Sequence, residues 1–367
     1  MKCEKLVILL VFLLVVSAAV GLSELRRLAS KAPAAASAPP LRPSAAREFR
    51  GICLQIHNGD PQHPYEKYIE EIAQTGANTL CLIVTGWQEN CASTSIFIDL
   101  RKTPPDARVK GLIAHARKQG LRVIFMPIVL LENPNSGEWR GKIKPEKWDD
   151  WWEDYTNYVL HYARLAQAAG AEVFIVGSEL IKTEDQTDRW RALIRKVREV
   201  FKGRLSYSAN WDHYRPVQWW DDLDLIGMTT YYDLTGGDKP TVERLCKSWK
   251  EIKSKILKWQ AQINRPILFT EVGWPSQETC AQYPWDYYRS KKADPTAQAN
   301  CFEAFFRTWI QEDSAAGFLV WEWRSWDGQK TGPQDTSYVP CGKPAMDVIK
   351  KYFQYSDSPR RQEPVAN

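Results

Sequence analysis

The feature that most constrains the fold is an eightfold alternation of short apolar runs and amphipathic stretches between residues 49 and 353. Continuous apolar runs such as 121–131 are typical of parallel strands that are covered on both faces. Eight strand–helix units in about 300 residues predict an α/β fold, a (β/α)8 TIM barrel. The predicted strands end at or near Ile56, Val84, Leu131, Glu179, Ala209, Met228, Glu271 and Trp321.

A doubly wound open sheet is the alternative arrangement for alternating strands and helices. Such a sheet usually carries a glycine-rich phosphate-binding turn after its first strand. Here the first strand runs into His57-Asn58-Gly59-Asp60, and the chain contains neither a GxGxxG motif nor a P-loop at that point. Polar and aromatic residues gather instead at the carboxyl ends of the strands, where barrel enzymes place their sites. Both observations favour the barrel.

The chain ends differ in composition from this central region. Lys2 and Lys5 precede the apolar run 6–16 and a group of small residues, which predicts a signal peptide at 1–21 or, if it is not cleaved, a membrane anchor. Residues 22–48 are rich in Ala and Pro and are predicted to be a disordered linker. The predicted catalytic barrel covers 49–355, and a disordered tail covers 356–367. We therefore expect a secreted or periplasmic protein, or a membrane-anchored one if the first segment is retained.

Composition narrows the class of ligand. The net charge is only +5 and no basic block stands out, so nucleic-acid binding is not expected. The chain contains 17 Trp and 15 Tyr, many of them beside Gly, Asn, Asp or Pro at predicted strand ends. That placement suits flat apolar platforms for a carbohydrate or another planar ligand. The expected partner is a polysaccharide or oligosaccharide, with a membrane involved only if the N-terminal segment is uncleaved.

Seven cysteines follow the predicted signal segment, and they form no CxxC pair and no His/Cys cluster, so no metal site is expected. Cys53 and Cys81 lie in predicted strands, which indicates buried free thiols. Cys91, Cys280 and Cys341 lie in predicted loops. An oxidising compartment favours one disulfide among these three, with Cys280–Cys341 preferred.

Two strands deliver a glutamate at their outgoing ends. Glu179 follows the fourth predicted strand and Glu271 ends the seventh. In an eight-stranded barrel these two ends face each other across the mouth, so the carboxylates are expected in one cleft. A pair of carboxylates suits glycosidic cleavage, in which one donates a proton and the other attacks or activates water. The alternative for either residue alone is a loop-end glutamate in a salt bridge.

The region from Phe49 to Phe353 resembles clan A glycoside hydrolases, which are retaining enzymes with the acid on strand four and the nucleophile on strand seven. Within the clan it looks most like glycoside hydrolase family 113, whose characterised members are endo-β-1,4-mannanases. The motifs that carry the resemblance are Gly177-Ser178-Glu179, Leu223-Asp224-Leu225-Ile226-Gly227 with Tyr231-Tyr232, Thr270-Glu271-Val272-Gly273-Trp274, and Trp321-Glu322-Trp323.

The resemblance implies roles for residues at these positions. Glu179 is expected to be the acid/base and Glu271 the nucleophile. Tyr232, or failing it Tyr231, is expected to hydrogen-bond the nucleophile. Trp321 or Trp323 is expected to floor the −1 subsite, the sugar position on the non-reducing side of the cleaved bond. No cofactor and no metal are implied.

The chain also departs from the clan pattern. Many members have Asn before the acid/base, where it binds the sugar 2-hydroxyl, whereas this chain has Ser178. The third strand ends without a charged or imidazole group before Glu132, so a substrate contact there must come from Glu132, Asn133 or the loop beyond. The identity of the −1 sugar is therefore open.

Other strand-end residues are weaker substrate-binding candidates, each with a structural alternative. These are His57, Asn58, Trp87, Asn210, Tyr231 and Trp274. Glu322 is a third carboxylate at the mouth. We interpret it as a residue that contacts the site residues but not the substrate, or as an ion-pair partner of Arg324.

The sequence thus predicts a retaining endo-β-1,4-mannanase. The alternatives are another clan A glycosidase that acts on β-glucan, xylan or short β-glycosides, and a barrel that binds carbohydrate without cutting it. A further alternative is a cell-surface scaffold that is held by an uncleaved N-terminal helix. The presence of both Glu179 and Glu271 argues against pure binding, since a binding module needs neither an acid nor a nucleophile.

Overall fold

A computed structural model describes residues 48–329 and 331–354 of the 367-residue chain. Eight parallel strands pair in sequence order, and the last returns to the first, so that the sheet closes into a barrel. The predicted (β/α)8 fold is confirmed. The strands are β1 (Phe49–Gln55), β2 (Thr79–Gln88), β3 (Arg122–Leu131), β4 (Val173–Ser178), β5 (Arg204–Ala209), β6 (Leu225–Thr229), β7 (Ile267–Val272) and β8 (Ala315–Val320).

The strands are connected by helices, with one exception among the described residues. The connection from β5 to β6 carries only a short 3₁₀ turn, Trp220–Asp222. Buried indoles occupy this side of the barrel instead: Trp219 stacks on Trp190 with ring centroids 4.6 Å apart. The α-helices are α1 (Tyr65–Ala73), α2 (Asp106–Lys118), α3 (Trp148–Ala169), α4 (Thr187–Val200), α5 (Val242–Ile263), α6 (Pro295–Trp309) and α7 (Pro344–Phe353).

The apolar character of the strands follows from burial on both faces. Successive side chains of a strand point to opposite sides of the sheet. In β3, Ile124 and Met126 belong to the cluster inside the barrel, whereas Val123 and Phe125 pack in the outer layer against the helices. Each fully buried side chain of this kind stabilises the fold by roughly 1.5–3 kcal/mol. The barrel interior is therefore a packed core that supports the mouth from below.

The opposite end of the barrel, at the amino ends of the strands, is closed by ion pairs. Glu48 accepts hydrogen bonds from Arg122 at 2.9 Å and from Arg204 at 2.6 Å. Both guanidinium groups also lie over the ring of Phe49, 4.4 and 4.7 Å from its centroid. Burial raises the pKa of Glu48, but the hydrogen bonds and charges of the two arginines outweigh it and lower that pKa below its usual value.

Several predictions concern the chain ends. The predicted signal or anchor segment, the linker before Glu48 and the tail 356–367 lie outside the described residues. Within 48–329 and 331–354, no helix has the length and hydropathy needed to cross a membrane.

The cysteine predictions are partly confirmed. Cys53 and Cys81 are fully buried free thiols at paired positions of β1 and β2. The preferred Cys280–Cys341 disulfide is wrong, because both residues are free thiols. Cys280 is buried beside Cys301 of α6, whereas Cys341 lines a different surface pocket beside Arg324.

Candidate active site

Glu179 follows an irregularity in β4. The register of β4 against β5 pairs Ile175 with Ser206 but Ser178 with Ser208, so β4 contains one extra residue between the two pairs. Such a bulge changes which side of the sheet the following side chains face. The last residues of β4 are thereby turned from the packing face toward the barrel mouth.

The backbone of Glu179 is unusual as well. Its φ of 53° lies in the left-handed region, where a non-glycine residue costs on the order of 1–3 kcal/mol. Glu179 N–H donates to Ser208 O at 2.8 Å, and the next N–H, of Leu180, donates to Tyr207 Oη at 2.9 Å. Two residues earlier, Gly177 is required because a Cβ there would lie 2.6 Å from Tyr155 Oη. The local fold therefore fixes the direction of the Glu179 side chain.

A buried polar chain continues from this anchor. Tyr207 Oη donates to Glu184 Oε1 at 2.6 Å, and His213 Nδ1 lies 2.5 Å from Glu184 Oε2. Glu184 is almost fully buried, and burial raises its pKa although these hydrogen bonds oppose the shift. Sequence reasoning missed Glu184 because it lies in a loop with no motif around it.

Glu271 also follows an extra residue, in β7. Met228 of β6 pairs with Phe269, but the next residue, Thr229, pairs with Glu271. Strict alternation from Phe269, which packs in the outer layer, would place Glu271 on the outer side of the sheet. The bulge brings its carboxylate to the mouth instead.

Arg140 joins the two glutamates. It begins a 3₁₀ turn, Arg140–Lys142, in the connection between β3 and α3. Its Nη2 donates to Glu179 Oε2 at 2.6 Å and lies 3.6 Å from Glu271 Oε1. The structure thus brings Glu179 and Glu271 together around one cation, which sequence analysis did not identify.

After β3, a substrate contact was expected from Glu132, Asn133 or the loop beyond. Glu132 forms an ion pair with Lys102, and Asn133 donates to Glu89 at 2.8 Å. The residue that reaches the two glutamates is Arg140, seven positions after Asn133 in that same loop. The one available signal was a cation in a loop that follows a strand whose outgoing end has no charged or imidazole group.

The tyrosine assigned to the nucleophile was the wrong one of the two candidates. Tyr231 Oη donates to Glu271 Oε2 at 2.7 Å. Tyr232 Oη donates instead to the backbone oxygen of Trp211 at 2.8 Å. The expectation for Tyr232 is therefore incorrect and its alternative, Tyr231, holds the contact. Two adjacent tyrosines after β6 turn to different sides, and sequence alone does not say which turns inward.

The third carboxylate, Glu322, does not pair with Arg324. It accepts a hydrogen bond from the side chain of Gln55, and burial raises its pKa to about 7. Arg324 pairs with Glu71 and Asp327, so the predicted ion pair is wrong. Glu322 is joined to Trp321 by a cis peptide bond.

The tryptophans of the motifs divide into one near the mouth and two in the core. Trp321 is partly exposed and packs on the cluster inside the barrel. Trp323 is buried, and its Nε1 donates to Glu71 at 3.2 Å. Trp274 is completely buried and packs edge-on against Phe302 at 5.1 Å. Trp323 and Trp274 cannot present a face to a sugar, which corrects their assignment as substrate-binding residues and leaves Trp321.

The candidates at the ends of β1 and β2 are engaged with other protein groups. His57 Nε2 lies 2.7 Å from Thr85 Oγ1, and burial lowers the pKa of His57 to about 4, so its ring is neutral at physiological pH. The Asn58 amide lies 3.0 Å from His63 Nδ1. The ammonium of Lys102 lies 4.1 Å from the ring centroid of Trp87 and covers one face. Sugar contacts by these residues stay predictions.

Two polar candidates lie at the carboxyl ends of β4 and β5. The Ser178 hydroxyl is buried and has no hydrogen-bond partner among the described residues. Asn210, at the end of β5, donates to Asp212 Oδ1 at 2.8 Å and is partly exposed. Their roles as sugar ligands also stay predictions.

Burial and mutual repulsion shift the titration of the two central glutamates. Burial raises the pKa of Glu179, although Arg140 opposes the shift. Burial and then the charge of Glu179 raise the pKa of Glu271 to about 8, against the influence of Arg140 and Tyr231. Two carboxylates this close do not ionise independently, so the charge state of each one depends on that of the other.

Several exposed aromatic side chains lie at the mouth of the barrel. They lie in the loops that follow β3, β7 and β8, at the same end of the barrel as the glutamates. Trp285 also stacks on Trp211, with ring centroids 5.8 Å apart and planes 18° from parallel. The exposed members are Trp139, Trp285, Tyr287, Tyr288 and Trp326. No group of three or more His, Cys, Asp or Glu side chains within 48–329 and 331–354 has metal-binding geometry.

The chain resembles several proteins of known structure. The chain aligns with a solved GH113 beta-1,4-mannanase at 27% identity and a TM-score of 0.76, over 84% of this chain and 100% of that one. The GH113 beta-mannanase AaManA from Alicyclobacillus acidocaldarius, in complex with ManMIm, is also 27% identical, with a TM-score of 0.74 over 83% of this chain and 96% of that one. Cel5A of Thermotoga maritima, at 14% identity and a TM-score of 0.53 over 84% of this chain and 100% of that one, shares the fold only.

Among proteins with curated descriptions, none matches the chain significantly. The family model for Glycoside Hydrolase Family 113 matches residues 59–343, which is well over half of the chain. The chain therefore belongs to glycoside hydrolase family 113 and is an enzyme that acts on glycosidic bonds.

Proposed function

We propose that this glycoside hydrolase is a retaining endo-β-1,4-mannanase, with Glu179 as acid/base and Glu271 as nucleophile. The observation that carries the proposal is the shared contact with Arg140. One nitrogen lies 2.6 Å from a Glu179 oxygen and 3.6 Å from a Glu271 oxygen, so these oxygens are within about 6 Å of each other. That spacing fits the ~5–5.5 Å of retaining enzymes better than the ~6.5–9.5 Å of inverting ones.

In the first step, a Glu271 oxygen attacks the anomeric carbon while Glu179 gives its proton to the glycosidic oxygen. The bond between carbon and leaving oxygen breaks, and a glycosyl–enzyme ester forms. Tyr231 binds Glu271 Oε2, whereas Oε1 has no hydrogen-bond partner among the described residues. This asymmetry favours Oε1 as the attacking oxygen.

In the second step, Glu179, now ionised, takes a proton from water while the water oxygen attacks the anomeric carbon. The ester bond to Glu271 breaks, Glu271 leaves as a carboxylate, and Glu179 regains its proton. Two inversions at the same carbon give net retention of configuration. The raised pKa of Glu179 is what an acid that must be protonated near neutral pH needs.

The substrate class rests on relatives at 25–27% identity, two of which are described as beta-1,4-mannanases and one as a beta-mannanase. Endo action is supported by the exposed aromatic side chains in several loops around the mouth, which suit several sugar units of one chain. Ser178, where many clan members have Asn, favours a second candidate: a clan A glycosidase for another β-glycan such as β-glucan or xylan.

The test of substrate is a panel of polymeric and oligomeric β-glycans with analysis of products by chain length. We expect β-1,4-mannan to be cut internally, giving a range of short oligosaccharides. Release of single sugars only would overturn endo action. Preference for β-glucan or xylan would replace the mannanase assignment by the second candidate.

The catalytic roles are tested by azide rescue with an activated aryl glycoside. Azide should restore turnover to Glu179→Ala with a β-glycosyl azide product, since the intact nucleophile still forms the ester. It should not give that product with Glu271→Ala. The reverse pattern would exchange the two roles, and Glu48→Ala, at the opposite end of the barrel, is the control that should need no rescue.

We further propose that the enzyme acts outside the cytoplasm, on the basis of the export-type segment at 1–21. N-terminal sequencing of the natural protein tests this. A start near residue 22 in the extracellular or periplasmic fraction supports export, whereas Met1 in the membrane fraction supports an anchor and Met1 in the cytoplasm overturns both.

A further inference from the structure

Arg140 is held rigidly beside the two glutamates. Its side chain is only 15% exposed. The turn that carries it is closed by a hydrogen bond from Lys142 N–H to Trp139 O, and the chain just beyond is tied to the β2–α2 loop by one from Lys144 N–H to Cys91 O, both at 2.8 Å. The guanidinium therefore reaches the glutamates from a loop that is tied to its neighbours by backbone hydrogen bonds.

The surroundings of Arg140 are rich in acidic groups. Glu179 and Glu271 are its nearest partners, and Nε has no hydrogen-bond partner among the described residues. Other titratable groups face this cluster from the strand ends and loops around it. These are Tyr207, Asp212, Tyr231, Tyr287, Glu322 and Tyr338.

The contact also distinguishes the two oxygens of Glu179. Oε2 accepts the short bond from Arg140, whereas Oε1 accepts only a long bond of 3.3 Å from Thr229 Oγ1. A guanidinium has only hydrogen-bond donors, so it cannot accept a hydrogen bond from the O–H group of a protonated carboxyl. Protonation of Glu179 is therefore favoured at Oε1, whose only hydrogen bond among the described residues is the long one from Thr229.

We propose that Arg140 is a positioning residue of the reaction, which directs the proton of Glu179 to Oε1 and compensates the second negative charge that appears when Glu179 gives that proton away. This inference rests on the proposed function. Before transfer the pair of glutamates carries one negative charge. During transfer Glu179 becomes ionised while the bond from Glu271 is still incomplete, so two negative charges face each other in a water-poor site, where their repulsion is strong. The guanidinium lowers that cost.

This role acts through the acid, which gives it a distinctive dependence on the leaving group. A leaving group that needs no proton makes the charge on Glu179 irrelevant to the first step. The quantity to measure is kcat/KM, which reports the steps through ester formation. For Arg140→Met we expect kcat/KM to fall by about 10²–10³-fold on a manno-oligosaccharide. The loss on a 2,4-dinitrophenyl mannobioside should be below about tenfold. This leaving group departs without a proton, so Glu179 gains no negative charge in the first step.

The pH profile provides a second readout. Without the cation both carboxyl groups hold their protons more tightly, so the profile of Arg140→Met should move to higher pH by about one unit. Arg140→Lys keeps the charge and should retain most of the wild-type profile. Lys142→Met is the matched control, since it removes an exposed cation from the same turn and should change neither readout. Equal losses on both substrates with an unmoved profile would overturn the inference.

A third measurement separates this inference from the proposed function. If wild-type enzyme cleaves none of the β-glycans, the proposed function fails, and the unfolding midpoint as a function of pH still tests Arg140. Between pH 5 and 8, the midpoint should fall more steeply in Arg140→Met than in wild type, because the folded variant binds protons more tightly. Equal slopes in wild type, Arg140→Met and Arg140→Lys would overturn the charge compensation.

Discussion

The two ends of the barrel use the same residue types in different proportions. At the amino end, Glu48 binds two guanidinium groups, those of Arg122 and Arg204. At the mouth, the single guanidinium of Arg140 lies between two carboxylates, Glu179 and Glu271. The pKa of Glu48 is lowered, whereas the pKa values of both mouth glutamates are raised.

Access to water strengthens this difference. The Glu48 side chain is 30% exposed, whereas those of Glu179 and Glu271 are 8% and 3% exposed. Charged groups lose most when water is removed and no full set of counter-charges replaces it. The comparison teaches that a surplus of cations makes a carboxylate a stabilising ion-pair partner, and that a shortage of them in a dry site makes it a proton carrier.

The largest effect on stability is expected at Glu271. Its pKa is 4.5 in the unfolded reference and about 8 in the fold, so the stabilisation from its retained proton is complete below pH 4.5 and is lost as pH rises through 8. Glu271→Gln resembles the protonated form at every pH. Its free energy of unfolding should exceed that of wild type by on the order of 3 kcal/mol at pH 9.

Denaturant unfolding at pH 5 and pH 9 measures this difference for Glu271→Gln. The advantage of the variant should be small at the lower pH and grow toward the higher one. A constant difference, or a more stable wild type at pH 9, would contradict the raised pKa.

The opposite pH dependence is expected at Glu48. Because its folded-state pKa is lowered, its stabilisation is present above the unfolded value of 4.5 and is lost as pH falls through the folded pKa. Glu48→Gln should lose about 2 kcal/mol at pH 7, where two arginines lose a charged partner, and less at pH 3. The same unfolding series measures it, and glycosidase activity at pH 7 should be unchanged. A loss at pH 3 as large as that at pH 7 would break the comparison between the two ends.

A smaller effect, on kcat/KM, is expected from removal of the Tyr231 hydroxyl. Tyr231→Phe removes the hydrogen bond to Glu271 Oε2 and should lower kcat/KM by about tenfold, or ~1.4 kcal/mol. Tyr232→Phe is the matched control, since that hydroxyl bonds the backbone of Trp211. Michaelis kinetics of both variants on the same oligosaccharide decide between them. An equal or larger loss in Tyr232→Phe would show that the nucleophile is oriented from elsewhere.

Much of the fold was predictable from sequence, because strands and helices are indicated by patterns of neighbouring residues. The apolar runs and helical patterns located all eight strands, and their order gave Glu179 and Glu271 facing positions across the mouth. These features depend on residues that are near one another along the chain. The predicted eightfold strand–helix alternation is wrong at one point, because the connection from β5 to β6 has only a 3₁₀ turn.

The wrong predictions concern the directions in which side chains point. Trp274 and Trp323 stand in motifs beside catalytic candidates, yet both point into packed layers. Tyr232 and Tyr231 are adjacent, and only contacts with distant residues decide which one reaches Glu271. Cys280 was assigned to Cys341 from loop positions, but it lies buried beside Cys301 of α6.

The sequence by itself determined the barrel and the two strands that carry the glutamates, because burial on both faces and strand–helix alternation are written into the order of apolar residues. The tertiary structure alone decided how those glutamates are aimed and charged. The bulges in β4 and β7 appear only in the register with neighbouring strands. Arg140 becomes a partner of both glutamates only when a loop distant in sequence folds over the mouth, and local pattern carries no record of such a contact.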